Sequence, residues 1–132
     1  MTVRTVTAQT KHTYLLLSRG QWHADLPAKD IQQAIEAFYL WYEDNLAQGN
    51  FGPGSRLSTE IRRVSSQGIT DGPFTETKEV IGGYWFILAN SLDDAARLAA
   101  QNPCMACGLE YEIRPLDATP ANALVKSNET PE

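Results

Sequence analysis

Basic charge is the first thing this sequence has little of. Lys and Arg number 11 against 16 Asp and Glu, a formal net charge of -5. The chain therefore offers no cationic footprint, and no direct nucleic-acid binding is expected. Long apolar runs are also missing. No stretch nears the roughly 18 residues that a membrane helix needs, and no basic-then-apolar leader is seen. No membrane partner and a cytoplasmic location are the expectation. Cysteine is limited to Cys104 and Cys107, too few for a disulfide framework. Their C-x-x-C spacing follows the end of a predicted helix, whereas a thiolate is stabilised at a helix start. No second cysteine pair and no neighbouring histidine completes a zinc site, so no metal and no cofactor are expected, and both thiols are read as packed under the final strand. The histidines are His12 and His23. His12 begins a strand beside Lys11 and is expected to face water. His23 lies in the loop after that strand and is the only histidine considered for acid-base work, against the plainer reading of a surface residue.

What is present fits one soluble domain: 132 residues, 42% hydrophobic and 20% charged. Residues 1–10 are Thr-rich and residues 118–132 are rich in small and polar side chains; both are expected to be flexible tails around a domain spanning 11–117. Within it, "TYLLLS" (Thr13 to Ser18) suits a strand buried on both faces. Pro27 to Gln48 predicts a helix, with Asp25 as its cap, Ile31, Ile35, Phe38, Tyr42 and Leu46 on one face, and Gly49 ending it. Phe51 to Gly54 reads as a turn. Arg56 to Ser66 reads as a half-exposed strand, with a hairpin tip at Gln67-Gly68 and a return through Ile69-Thr70. "YWFIL" (Tyr84 to Leu88) is the most strand-like stretch. Asn90 or Ser91 caps a second helix, Leu92 to Gln101, with Leu92, Ala95, Ala96 and Ala99 inward, and Asn102-Pro103 stops it. Leu109 to Leu116 closes the domain as a strand.

The order β-α-β-β-α-β predicts an α+β, ferredoxin-like split βαβ protomer. Its two helices can cover one face of a four-stranded sheet. Yet Tyr84, Phe86 and Leu88 are bulky and apolar, and so are Trp85 and Ile87 on the opposite face. The simplest cover for the second face is another copy, sheet to sheet, in a homodimer. A cavity between two such sheets is the expected small-molecule site. Trp22, Trp41 and Trp85 are read as core or dimer interface rather than as ligand stackers.

The segment from Asp71 to Tyr84, DGPFTETKEVIGGY, draws most attention. Pro73 has no N–H to give Asp71 its usual turn partner. Glu76, Lys78 and Glu79 follow closely. Gly82 and Gly83 let a ligand or another backbone approach. Lys78 could hold an anion, and a carboxylate facing an apolar cavity could serve as a base. Arg19, at the end of the first strand, could reach these carboxylates. The expected ligand-binding residues are thus Arg19, Asp71, Glu76, Lys78, Glu79, Gly83 and Tyr84. The plainer alternative is a capped loop with solvated ion pairs and glycines packed at a strand crossing.

Asp71-Gly72-Pro73-Phe74, Glu76-Thr77-Lys78-Glu79 and Gly82-Gly83-Tyr84 resemble the signature of the YCII-related, DGPF-type family. "YLLLSRGQW" and "NPCMACGLEYEIRPL" are similar to one branch of it, so the resemblance runs from about Lys11 to Asp117. It implies a dimeric α/β-barrel of ferredoxin-like protomers. Smaller relatives carry a histidine–aspartate pair suspected of acid-base work; the corresponding positions here fall near Phe38 and at Asn102, neither able to do that chemistry. The family's frequent link to extracytoplasmic-function sigma factors implies a sigma-factor partner as an alternative. Three functions stay open from sequence: a small-molecule binder or enzyme, a regulatory module, and a cofactor-free monooxygenase or isomerase.

Overall fold

The computed structural model describes residues 11–71, 81–117 and 124. Nine elements follow in order: β1 (His12–Arg19), α1 (Ala28–Ala47), β2 (Phe51–Arg56), β3 (Arg63–Ser65), β4 (Gly68–Thr70), β5 (Ile81–Ala89), α2 (Leu92–Ala99), a 3-10 helix (Pro103–Cys107) and β6 (Glu110–Pro115). Four strands form one sheet in the order β2-β5-β1-β6, and β3 and β4 form a separate hairpin. Every neighbouring pair is antiparallel. This is the α+β, ferredoxin-like arrangement, with the small hairpin inserted between the second and third strands of the sheet.

The core lies on the helix side. Tyr14 and Leu16 of β1, Phe51 of β2, and Trp85, Ile87 and Ala89 of β5 are buried together with Ala95 and Ala99 of α2. Strand geometry sends alternate residues to opposite faces, so Leu15 and Leu17 of β1 and Tyr84, Phe86 and Leu88 of β5 share the other face, where each is half-buried. Helix α1 presents Phe38, Trp41, Tyr42 and Leu46 to the core. Five aromatic rings mesh there, with Phe38–Trp85 and Tyr42–Trp85 centroids each 5.5 Å apart and Trp41–Phe51 at 5.1 Å. Edge-on packing of this kind contributes beyond the area it buries.

Several boundaries differ from the sequence expectation. Asp25 does not cap α1. Pro27 occupies that position with no side-chain bond, its carbonyl accepting from Asp30 N at 3.0 Å and Ile31 N at 3.3 Å. Gly49 ends the helix as expected, with φ at +81°. Ser91 caps α2 by accepting from Asp94 N at 3.0 Å. Of the four residues expected inward on that short helix, Ala95 and Ala99 are buried, while Leu92 is 42% exposed and Ala96 is exposed. The helix is eight residues long, and the narrow stripe it turns to the sheet is Ala95, Leu98 and Ala99.

The main correction concerns the second strand of the sheet. Phe51 to Gly54 is not a turn. It is the body of β2, and Arg56 to Ser66 supplies only the end of that strand and the three-residue β3. An edge strand tolerates Pro53, because the side facing solvent needs no ladder N–H. Gly54 is demanded by crowding. A Cβ there would overlap the Tyr84 carbonyl oxygen and the Trp85 Cα. The register shifts between Gly52 and Ser55, so the strand bends as it passes β5.

Candidate functional site

The register of the sheet builds one polar row on the helix side. Arg56 of β2 pairs with Gly83 of β5, Gly83 with Ser18 of β1, and Ser18 with Tyr111 of β6. Cross-strand partners point to the same face, and Gly83 and Ser18 belong to the face of buried Trp85 and Leu16. Two long side chains thus flank a gap of one glycine and one serine. The rings of α1 cannot fall into that gap, because Phe38 and Tyr42 already rest on Trp85 one row further along. A cavity of about 690 Å³ remains between α1 and the sheet, within the range of small-molecule sites.

Aromatic side chains are the largest group in its described lining. Ile35, Phe38, Tyr39 and Tyr42 come from α1, Trp85 and Tyr111 from the sheet, and Trp22 from the loop after β1. Buried Gly83, Trp85 and Cys104 mark the inner wall, and exposed Gln21, Tyr39, Ser55 and Arg56 the rim. The loop of Gln21 to His23 is held in place by the 3-10 helix. His23 N donates to Cys107 O at 2.8 Å, and Gly108, at φ +111°, packs beneath it, where a Cβ would meet the His23 ring and the Gln21 carbonyl.

At the inner end the polar groups are neutral. Burial, and then the nearby Cys107, push the Cys104 thiol up from 9.0 to about 11. Its Sγ donates to Ala34 O at 3.6 Å. Burial, and then Cys104, push the Tyr111 phenol well above its ordinary value; nearby Ser18 and Asn102 oppose the shift only in part. Asn102 is 5% exposed. Its Oδ1 accepts from Cys104 N at 2.8 Å, capping the 3-10 helix, while its Nδ2 lies near the phenol without a well-formed hydrogen bond. Among the described lining residues there is no Asp, Glu or His.

The structure spreads out the residues that the sequence pointed to. Gly83 and Tyr84 border the cavity. Arg19 binds Glu112, Nε to Oε1 at 2.8 Å, and Glu112 also meets Arg114. Asp71 is exposed and pairs with Arg62 at 3.3 Å. Neither Arg19 nor Asp71 belongs to the described lining. Glu76, Lys78 and Glu79 lie outside the described residues. His12 and His23 are exposed. Trp41 and Trp85 pack in the core, one of the two places expected of them from sequence, with both indole N–H groups buried and lacking a hydrogen-bond partner among the described residues, whereas Trp22, expected there too, lines the cavity instead. This cavity lies between α1 and the sheet, on the opposite face from the one where the sequence leads to the expectation of a space between two sheets. Arg56, Ser18 and Tyr111 were missed. Only the strand register brings them together, and Arg56 ends β2, although its sequence context predicts a strand beginning there.

A family model for the YCII-related domain matches residues 14–117. The chain belongs to the YCII-related family. An uncharacterised protein of Rhizobium meliloti is 37% identical over 93 residues, covering 63% of this chain and 68% of that protein. Of Phe38 and Asn102, the residues that the sequence resemblance sets beside the acid-base pair of smaller relatives, only Phe38 belongs to the described lining of the cavity. Phe38 forms part of its wall, and Asn102 stands behind Tyr111 and Cys104. In this YCII-related chain those positions hold a ring and an amide.

Proposed function

We propose that this YCII-related protein binds a small, largely apolar molecule in the cavity between α1 and the sheet. The observation that carries this is the aromatic enclosure of about 690 Å³ bordered by Trp85, Phe38 and Tyr42. Sites of this kind bury an apolar body and orient it with a few polar groups. Here those groups are Ser18 and Tyr111 inside and Gln21 and Arg56 at the rim. The described lining holds no side chain suited to take a proton near neutral pH, which favours binding over proton transfer. The half-buried apolar face of Leu15, Leu17, Tyr84, Phe86 and Leu88 favours a homodimer in which a second copy covers it.

The test uses a neutral fluorescent probe, 1-aminoanthracene, titrated into the full chain. Saturable binding with a blue-shifted emission is expected. Ile35→Trp places a larger ring in the cavity and should abolish binding while leaving far-UV circular dichroism unchanged. Absence of saturable binding, or binding that survives Ile35→Trp in a folded protein, would sink the reading.

A further inference from the structure

The cavity has one charged residue in its described lining, and that residue is a cation. Arg56 stands at the rim, on the face of the sheet that α1 covers, and forms no ion pair with another described residue. The chain as a whole is acidic, at -5. A lone guanidinium beside an aromatic enclosure, in a protein of opposite net charge, has a recognisable chemical complement. Arg presents a planar fork that matches a carboxylate in two parallel hydrogen bonds. Gly83, its cross-strand partner, carries no side chain, and a Cβ there would press on the Ser55 carbonyl oxygen.

The other end of the same row differs in kind. Ser18 and Tyr111 are adjacent, both half-buried, and the phenol retains its proton far above neutral pH. A neutral hydroxyl pair accepts and donates hydrogen bonds but gives no attraction for a second anionic group. Strands lie about 4.8 Å apart, so the Arg56 and Ser18 backbones are separated by roughly 10 Å. That distance suits a single-ring acid with a short side arm. Phe38 and Tyr42, with ring centroids 5.6 Å apart, and Trp85 would flank its ring.

Resting on the cavity reading above, we propose that the ligand is an aromatic monocarboxylate. Its carboxylate sits on Arg56, its ring lies along Gly83 beneath Phe38 and Tyr42, and a hydroxyl or carbonyl at its far end meets Ser18 and Tyr111. The row of Arg56, Gly83, Ser18 and Tyr111 would thus set both the charge and the length of the ligand.

Isothermal titration calorimetry with three probes tests this: 3-(4-hydroxyphenyl)propanoate, its primary amide, and 3-phenylpropanoate. The hydroxylated acid is expected to bind about tenfold more tightly than the amide, as a charge-assisted pair at a partly exposed site allows. Arg56→Gln should erase that preference and leave amide affinity unchanged. Tyr111→Phe should erase the preference for the hydroxylated acid over 3-phenylpropanoate and leave the acid-over-amide ratio intact. Equal affinity for acid and amide, or a preference that survives Arg56→Gln, would overturn the carboxylate assignment. If 1-aminoanthracene still binds and Ile35→Trp still blocks it, the failure belongs to Arg56 and the cavity reading stands. If no probe of either kind binds, the cavity reading has failed as well.

Discussion

The Tyr42 hydroxyl accepts a hydrogen bond from the Gly54 N–H at 3.1 Å, fastening the C-terminal half of α1 to the edge strand β2. The bond crosses the margin of the cavity, where both residues form part of the lining. Its loss leaves a partly buried backbone donor without its partner. Tyr42→Phe keeps the ring packing and removes only the acceptor. A stability loss of about 1 kcal/mol is expected, seen as a fall in Tm of about 3–6 °C in calorimetry. An unchanged Tm would mean that water replaces the hydroxyl at no cost.

Gly54 and Gly82 make a contrasting pair. A Cβ at Gly54 would overlap β5 backbone atoms, which cannot rotate away, whereas a Cβ at Gly82 meets nothing within 4 Å. Gly54→Ala should destabilise by about 3 kcal/mol or more, or prevent folding. Gly82→Ala should change stability by less than about 1 kcal/mol in either direction. Urea denaturation of the two variants side by side separates backbone crowding from the general cost of replacing a glycine.

Alkaline pH should weaken the fold through Cys104 and Tyr111. Burial raises the native-state value of the thiol from 9.0 to about 11 and raises that of the phenol above its ordinary 10.0. The native protein therefore keeps protons that the unfolded chain has already released. The unfolded state binds fewer protons, so stability falls as pH rises. Tm is expected to be insensitive to these two groups below about pH 9 and to drop above it. The double variant Cys104→Ala, Tyr111→Phe should flatten most of that drop. Iodoacetamide at pH 8 should modify the half-exposed Cys107 well before the buried Cys104, read by peptide mass spectrometry.

The outer face of the sheet makes its own prediction. Light scattering at micromolar concentration should give about twice the 14.6 kDa chain mass. Phe86→Lys places a charge among Leu15, Leu17 and Tyr84 and should yield monomer with the helix-side core intact. A wild-type monomer would refute the sheet-to-sheet homodimer.

Much of this fold could be read from local pattern. β1, α1, β5, α2 and β6 each announce themselves by apolar spacing and by a start or stop residue such as Ser91 or Gly49. β2 does not, because FGPGSR carries turn chemistry. Its place in the sheet is decided by what β5 can accommodate beside Gly54, which is a tertiary fact. The site divides in the same way. Gly83 and Tyr84 stood out through the double glycine before an aromatic strand. Arg56, Ser18 and Tyr111 carry no shared motif and span more than fifty residues, so only the strand register reveals them. Charge density drew attention to Asp71, yet its partner Arg62 is as exposed as a surface pair usually is, a pair worth about 0–1 kcal/mol.

The strand order β2-β5-β1-β6 also governs how this chain reaches its native state. No two neighbours in the main sheet are consecutive strands in the chain, and the consecutive pair β3 and β4 makes its hairpin apart from that sheet. A hairpin that zips early therefore gives the main sheet no template. The shortest-range pairing in that sheet, Arg56 of β2 with Gly83 of β5, already joins segments about thirty residues apart, and β1 meets β5 only across about sixty or more, so the entropy of closing long loops must be overcome before the sheet forms. Such a high share of distant pairings puts the protein among slow folders of its size. Helix α1, formed by local bonds, is the one large element able to wait in place for the strands to arrive.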